Sequence, residues 1–178
     1  MSNHVGGVDP MGYFSSIDKP FTFVVKKEVM KYPFVGKCIK ALEGAFLDRE
    51  DLKQSLRVMM NIQEDLKQNK KNWLIFPEGT RNKDPNALCL EFHHGTFRAP
   101  MKAGVPIVPA ATFGSGRVFK NPGRKHYPVY IEFGKPIYPN EYKDMSTNEL
   151  ASLVQSRVQE MVSYHARKYC QEQLIKTK

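Results

Sequence analysis

Short apolar runs alternate along this chain with longer segments whose apolar residues recur every three or four positions. Phe21-Thr22-Phe23-Val24-Val25 is aromatic and β-branched and reads as a buried strand. Ala45-Phe46-Leu47, Trp73-Leu74-Ile75 and Val129-Tyr130-Ile131-Glu132-Phe133 read the same way. Val105-Pro106-Ile107-Val108-Pro109-Ala110-Ala111 reads as an extended strand, which its prolines place at an edge or a strand start. Between the strands the period changes. A turn at Tyr32–Gly36 enters a short helix ending near Leu42. From Glu50 to Lys70 the pattern is helical, with Leu52, Leu56, Met59, Met60 and Leu66 assigned to a core-facing side. Phe92-His93-His94-Gly95 leads into another short helix through Lys102. Ser146 and Glu149 form a capping box ahead of a last helix, whose apolar face is Leu150, Leu153, Val154, Val158, Met161 and Val162. Interleaved strands and helices predict an α/β fold. The 178 residues suit one domain, 1–178, with a sizeable core.

Two stretches carry chemistry. Phe76-Pro77-Glu78-Gly79-Thr80-Arg81 follows a predicted strand directly. Proline ends the ladder and glycine permits a sharp bend. The turn then presents a carboxylate, a hydroxyl and a guanidinium together. A guanidinium grips phosphate bidentately, and the carboxylate can orient it or accept a hydroxyl proton. The second stretch opens the chain: Ser2 to Pro10 reads as a loop with no strand before it. His4 and Asp9 would sit about 140° apart on a regular helix, so a helix would not join them. Gly6 and Gly7 permit a bend that brings Asp9 back to His4. A carboxylate that fixes an imidazole leaves the other ring nitrogen to act as a general base. The plainer readings are a polar turn with an internal Glu–Arg pair, and a loop histidine beside a helix-capping aspartate.

Charge narrows the partners. A net +9 favours anionic ones: phosphate esters, acidic lipids, an acidic carrier protein or nucleic acid. The basic residues, among them Arg117, Lys120, Arg124 and Lys125, follow no nucleic-acid-binding motif, which argues against nucleic acid. Cys38, Cys89 and Cys170 form neither a CxxC pair nor an even set, so neither a disulfide framework nor a zinc site is expected. Adjacent His93 and His94 point in different directions and lack a third ligand at usable spacing, so no metal is expected there. No apolar run reaches membrane-spanning length.

Four blocks in order resemble the PlsC-type lysophospholipid acyltransferases. His4…Asp9 matches the HxxxxD block, and Gly44-Ala45-Phe46-Leu47-Asp48-Arg49 a second block ending in arginine. Phe76 to Arg81 matches the FPEGTR block residue for residue, and Val105 to Pro109 an apolar, proline-containing fourth block. Linking pieces agree too: Lys26-Lys27-Glu28, Pro33 with Gly36, Phe92 with Gly95, and Gly134-Lys135-Pro136.

The resemblance implies the glycerolipid acyltransferase fold, a mixed central sheet flanked by helices. It implies acyl transfer from acyl-CoA or acyl-carrier-protein, without cofactor or metal, to a lysophospholipid hydroxyl. 1-Acylglycerol-3-phosphate is the foremost acceptor. His4 would be the base and Asp9 its support. Lys26, Arg49 and Arg81 would hold the acceptor phosphate, with Glu78, Gly79 and Thr80 shaping that pocket. Val105, Pro106, Ile107 and Pro109 would border the acyl path. An anionic membrane surface, met peripherally from the cytoplasmic side, would be the further partner. Two departures stand out. Gly6 and Gly7 replace the family's polar and bulky residues, and the chain lacks the strand and membrane segment usual ahead of HxxxxD. The start is then truncated or the protein binds membranes peripherally, and a sheet position is expected to be empty. A non-catalytic module that binds anionic lipid on the same scaffold is the alternative.

Overall fold

The computed structural model describes residues 1–48, 50–84, 88–118 and 128–176, with the backbone alone from 170 on. Its elements in chain order are α1 (Asp9–Phe14), β1 (Phe21–Lys26), α2 (Pro33–Ala41), β2 (Ala45–Leu47), α3 (Leu52–Lys67) and β3 (Asn72–Leu74). There follow α4 (Arg98–Ala103), β4 (Ala110–Phe113), β5 (Tyr130–Phe133), α5 (Pro139–Tyr142) and α6 (Thr147–Lys176).

The sheet has a parallel half and an antiparallel half. β1 lies between β2 and β3, parallel to both, with Val24 opposite Ala45 and Phe23 opposite Leu74. β4 and β5 pair antiparallel, with Ala110 opposite Phe133. Residues 1–3 join the halves. Ser2 N–H donates to the Ile75 carbonyl at 3.0 Å, and Ala110 N–H donates to the Met1 carbonyl at 2.8 Å. Ser2 and Ala110 form a parallel bridge. Buried Asn3 extends the link with its side chain: Nδ2 donates to the Thr112 carbonyl at 2.9 Å, and Oδ1 accepts from Thr112 N–H at 2.7 Å. No full strand precedes His4 among the described residues, yet the sheet position expected to be empty is filled by this short segment.

Alternation along β1 and β3 sends side chains to two faces. Phe21, Phe23 and Leu74 pack with Tyr13 of α1 and Ile39 of α2. Val24 and Ile75 pack on the other side with Ile62 of α3 and Ala99 of α4. α6 covers the β4 region through Leu150, Val154, Val158 and Val162, all buried. Its capping box is present: Ser146 N–H donates to Glu149 Oε2 at 2.7 Å, and Glu149 N–H to Ser146 Oγ at 3.2 Å.

Two expectations need correction. The strand expected from Val105 begins at Ala110, after Pro109. Pro106 and Pro109 have no N–H to give a ladder, and before Ala110 the bonds are scattered: an isolated bridge of Ile107 with Ile137, and Gly134 N–H donated to the Pro109 carbonyl at 2.8 Å. In α3, Leu52, Leu56 and Met60 are exposed, at 72%, 49% and 67%. The inner stripe is Val58, Met59, Ile62 and Leu66. Leu52, Leu56 and Met60 form a separate i, i+4, i+8 row, rotated roughly 100° from it.

Candidate active site

The first loop folds as the glycine spacing predicts. His4 Nδ1–H donates to Asp9 Oδ2 at 2.7 Å. The same oxygen accepts the N–H groups of Val5 at 2.8 Å and Gly6 at 3.0 Å. Asp9 opens α1 and is 1% exposed, so the carboxylate is held by the loop it organises. With Nδ1 committed, Nε2 is the nitrogen left to exchange a proton. The imidazole stacks on Phe76, with centroids 4.3 Å apart, and its side chain is 20% exposed. Gly6 serves close packing: a Cβ there would lie 2.9 Å from the backbone carbon and oxygen of Ser115. At Gly7 a Cβ would meet only Arg81 Nη1, at an ordinary 3.6 Å.

The Phe76–Arg81 turn clamps this loop. Glu78 Oε1 accepts the His4 N–H at 3.0 Å, and the His4 carbonyl accepts Asn82 N–H at 2.7 Å. The carboxylate of Glu78 thus fixes the backbone of the His4 loop instead of orienting Arg81. Gly79 sits at φ 66°, the left-handed region, and closes the turn with its N–H on the Phe76 carbonyl. Glu78 is 2% exposed, and its Oε2 has no hydrogen-bond partner. Burial pushes its pKa up to about 7, against the pull of backbone N–H groups of His4 and Leu90, with nearby Asp9 adding to the rise. Burial, aided by Glu78, also raises the Cys89 thiol to about 12, which removes it as a nucleophile.

The expected phosphate ligands come from separate elements. Arg81 is exposed against Gly7, and Thr80 is exposed on the same turn. Lys26 is exposed at the carboxyl end of β1, with β3 between it and the His4 segment. Arg49 and the basic residues Lys120, Arg124 and Lys125 lie outside the described residues. Beside the His4 loop is a cavity of about 490 Å³, bordered by Gly6, Gly7, Arg81, Lys83, Phe113 and Arg117. Arg117 lies over the Tyr169 ring at 4.2 Å and the Phe113 ring at 5.0 Å. Val105, Pro106, Ile107 and Pro109 do not border this cavity. Ile107 and Pro109 are buried in the fold, and Tyr142 Oη donates to the Val105 carbonyl at 2.8 Å. Among the described residues no cluster of three His, Cys, Asp or Glu side chains could hold a metal.

Sequence reasoning missed Asn3, Phe76 as a stacking partner, Asn82 and Tyr13. Tyr13 is fully buried. Its hydroxyl lies 2.5 Å from Ser2 Oγ and accepts from Thr112 Oγ1 at 3.0 Å. It was findable only as an aromatic following the HxxxxD block.

A family model described as Acyltransferase matches residues 1–112. A protein from Mycoplasma pneumoniae described as a probable 1-acyl-sn-glycerol-3-phosphate acyltransferase is 25% identical, over 97% of this chain and 67% of its own length. The 1-acyl-sn-glycerol-3-phosphate acyltransferase of Escherichia coli is 26% identical, over 92% of this chain and 66% of its own. The crystal structure of the acyltransferase PlsC from Thermotoga maritima superposes with a TM-score of 0.72 at 25% identity, over 93% of this chain and 64% of that one. The chain therefore spans about two-thirds of the length of the relatives it matches.

Proposed function

The chain belongs to the acyltransferase family, and from that premise we propose that it transfers a fatty acyl group from acyl-CoA or acyl-carrier-protein to a lysophospholipid hydroxyl, foremost the 2-hydroxyl of 1-acylglycerol-3-phosphate. The product is phosphatidate. The observation that carries the reading is the His4–Asp9 pair at 2.7 Å, with Nε2 free for a substrate proton.

His4 Nε2 takes the acceptor's hydroxyl proton while Asp9 stabilises the imidazolium. The acceptor oxygen attacks the thioester carbonyl carbon. Collapse of the tetrahedral intermediate breaks the C–S bond, and the leaving thiolate takes the proton from His4. Arg81 and Lys26 are the cations assigned to the acceptor phosphate, joined by Arg49 on the ground of resemblance. Glu78 supports the base by holding its backbone N–H, and Gly79 closes the turn that carries Glu78. The enzyme works at an anionic membrane surface, as its +9 charge and its amphiphilic substrate favour. The test is incubation with lysophosphatidate and either donor, with phosphatidate read by mass spectrometry. His4→Ala is expected to lose at least about 10²-fold in kcat. Near-normal turnover in that variant would remove His4 as base, and lipid binding without turnover in the parent would favour the non-catalytic module.

A further inference from the structure

The helix α2 carries most of its apolar residues away from the core. Only Gly36 and Ile39 are buried. At about 100° per residue, Phe34, Cys38 and Leu42 fall along one line opposite those two, with Val35 beside it. Phe34 is 79% exposed, more than any other large hydrophobic side chain described. Tyr32 and Met30, in the turn that feeds the helix, are also exposed, so residues 30–35 all face solvent. Lys37 flanks the apolar line on one side, Lys40 falls beyond it toward Gly36, and Lys26 and Lys31 precede it, all four exposed. Nearby acids are few: Glu43 is engaged by Lys71 and Asp48 by Lys27, leaving Glu28 and Glu50.

An outward apolar line edged by lysines is the geometry of a helix lying in a membrane interface. A second copy of the chain fits this surface poorly, because a two-fold contact would set the same lysines against each other. We propose that residues 30–42 dock the protein on an anionic bilayer. Tyr32 and Phe34 enter the boundary between headgroups and acyl chains, and Lys31 and Lys37 meet lipid phosphates. The inference deepens the acyltransferase reading and rests on it for its purpose. Lys26 ends β1 immediately before this segment, so docking brings that end of the sheet to the level at which a lysophospholipid presents its headgroup.

The test is co-sedimentation with phosphatidylcholine–phosphatidylglycerol vesicles over a salt series. Phe34→Ser is expected to weaken partitioning about tenfold. Lys31→Glu with Lys37→Glu should weaken it at least tenfold and flatten the salt dependence. Met60→Ser, equally exposed but on α3, should leave partitioning within about twofold of wild type. A polarity-sensitive dye on Cys38, in a Cys170→Ser background, should shift to the blue with vesicles; Cys89 is buried and should not react. Equal binding by the Phe34 and lysine variants, or an unresponsive dye, overturns the proposal. So does a concentration-dependent dimer in sedimentation that Phe34→Ser abolishes, which would assign the face to a second copy. Binding needs no turnover, so the two readings fail separately. His4→Ala should bind vesicles as wild type does, even if no acyl transfer is found. Phe34→Ser should still acylate a water-soluble, short-chain lysophosphatidate.

Discussion

Glu78 shows how much one buried carboxylate governs at this site. It holds the His4 N–H, yet its pKa rises to about 7 from an ordinary 4.5 because burial outweighs its hydrogen bonds. The folded state therefore keeps a proton that the unfolded chain releases. Stability is unaffected by this group below about pH 4.5, falls as pH rises toward 7, and levels off above. The full swing is about 3 kcal/mol. Glu78→Gln should remove most of that slope, and urea titrations at pH 5 and pH 8 on both proteins measure it. A slope that persists in the variant would assign the pH dependence to another group. Gly6 and Gly7 separate two uses of glycine that look alike in the sequence. Gly6→Ala forces a methyl against the Ser115 backbone, while Gly7→Ala meets only the end of a flexible arginine. Gly6→Ala should cost about 1–3 kcal/mol and lower kcat, with Gly7→Ala close to wild type in both. Denaturation and steady-state assays of the pair decide it. A side chain is thus excluded at Gly6 by Ser115, more than a hundred positions away, which no local reading of the loop could reveal.

At the scale of elements, the sequence disclosed what lies in local pattern and hid what needs long-range contact. β2 matches its predicted run residue for residue, α3 falls within its predicted span, and α6 follows its apolar period, because those signals repeat within one element. The His4–Asp9 pair was legible for the same reason, being closed within its own loop, where Asp9 also accepts the Val5 and Gly6 N–H groups. Three features were not. The exposed row of α3 looks like core until the neighbouring sheet fixes which stripe faces inward. The partner of Glu78 is a backbone N–H 74 positions away. The segment 1–3 reads as loop because three residues carry no period, yet it joins the two halves of the sheet. Asn3 makes that join with two bonds to the Thr112 backbone, one residue before the base. Asn3→Ala leaves a buried N–H and a buried carbonyl of β4 unpaired. It should cost about 2–4 kcal/mol and reduce kcat more than it raises either KM, because it moves His4 and not the substrate subsites. Thermal melts with kinetics on this variant test the point, and an undiminished kcat would show that the dyad is held from the Glu78 side alone.

Over the whole molecule, the sheet order sets cations on both sides of the base. Lys26 ends β1, separated from the His4 segment by β3, while Arg81, Lys83 and Arg117 border the cavity on the β4 side. The two groups come from different elements, and the kinetics should say how much of the phosphate grip each supplies. Arg81 lies against Gly7, within the loop that carries the base, and is the stronger candidate. A phosphate contact of this kind exists before and during the reaction, so its loss raises KM more than it lowers kcat. A charge-assisted bond of this type corresponds to roughly ten- to a hundredfold in acceptor KM. Arg81→Lys keeps the charge without the planar fork and should recover only part of that loss. Lys26→Ala, acting from the far side, should change acceptor KM less than Arg81→Ala does. The decisive comparison replaces lysophosphatidate by monoacylglycerol, which has no phosphate. Wild type should discriminate strongly between the two acceptors and Arg81→Ala only weakly. If Arg81→Ala discriminates as strongly as wild type while Lys26→Ala does not, the phosphate sits at the end of β1, and the guanidinium beside Gly7 serves the loop.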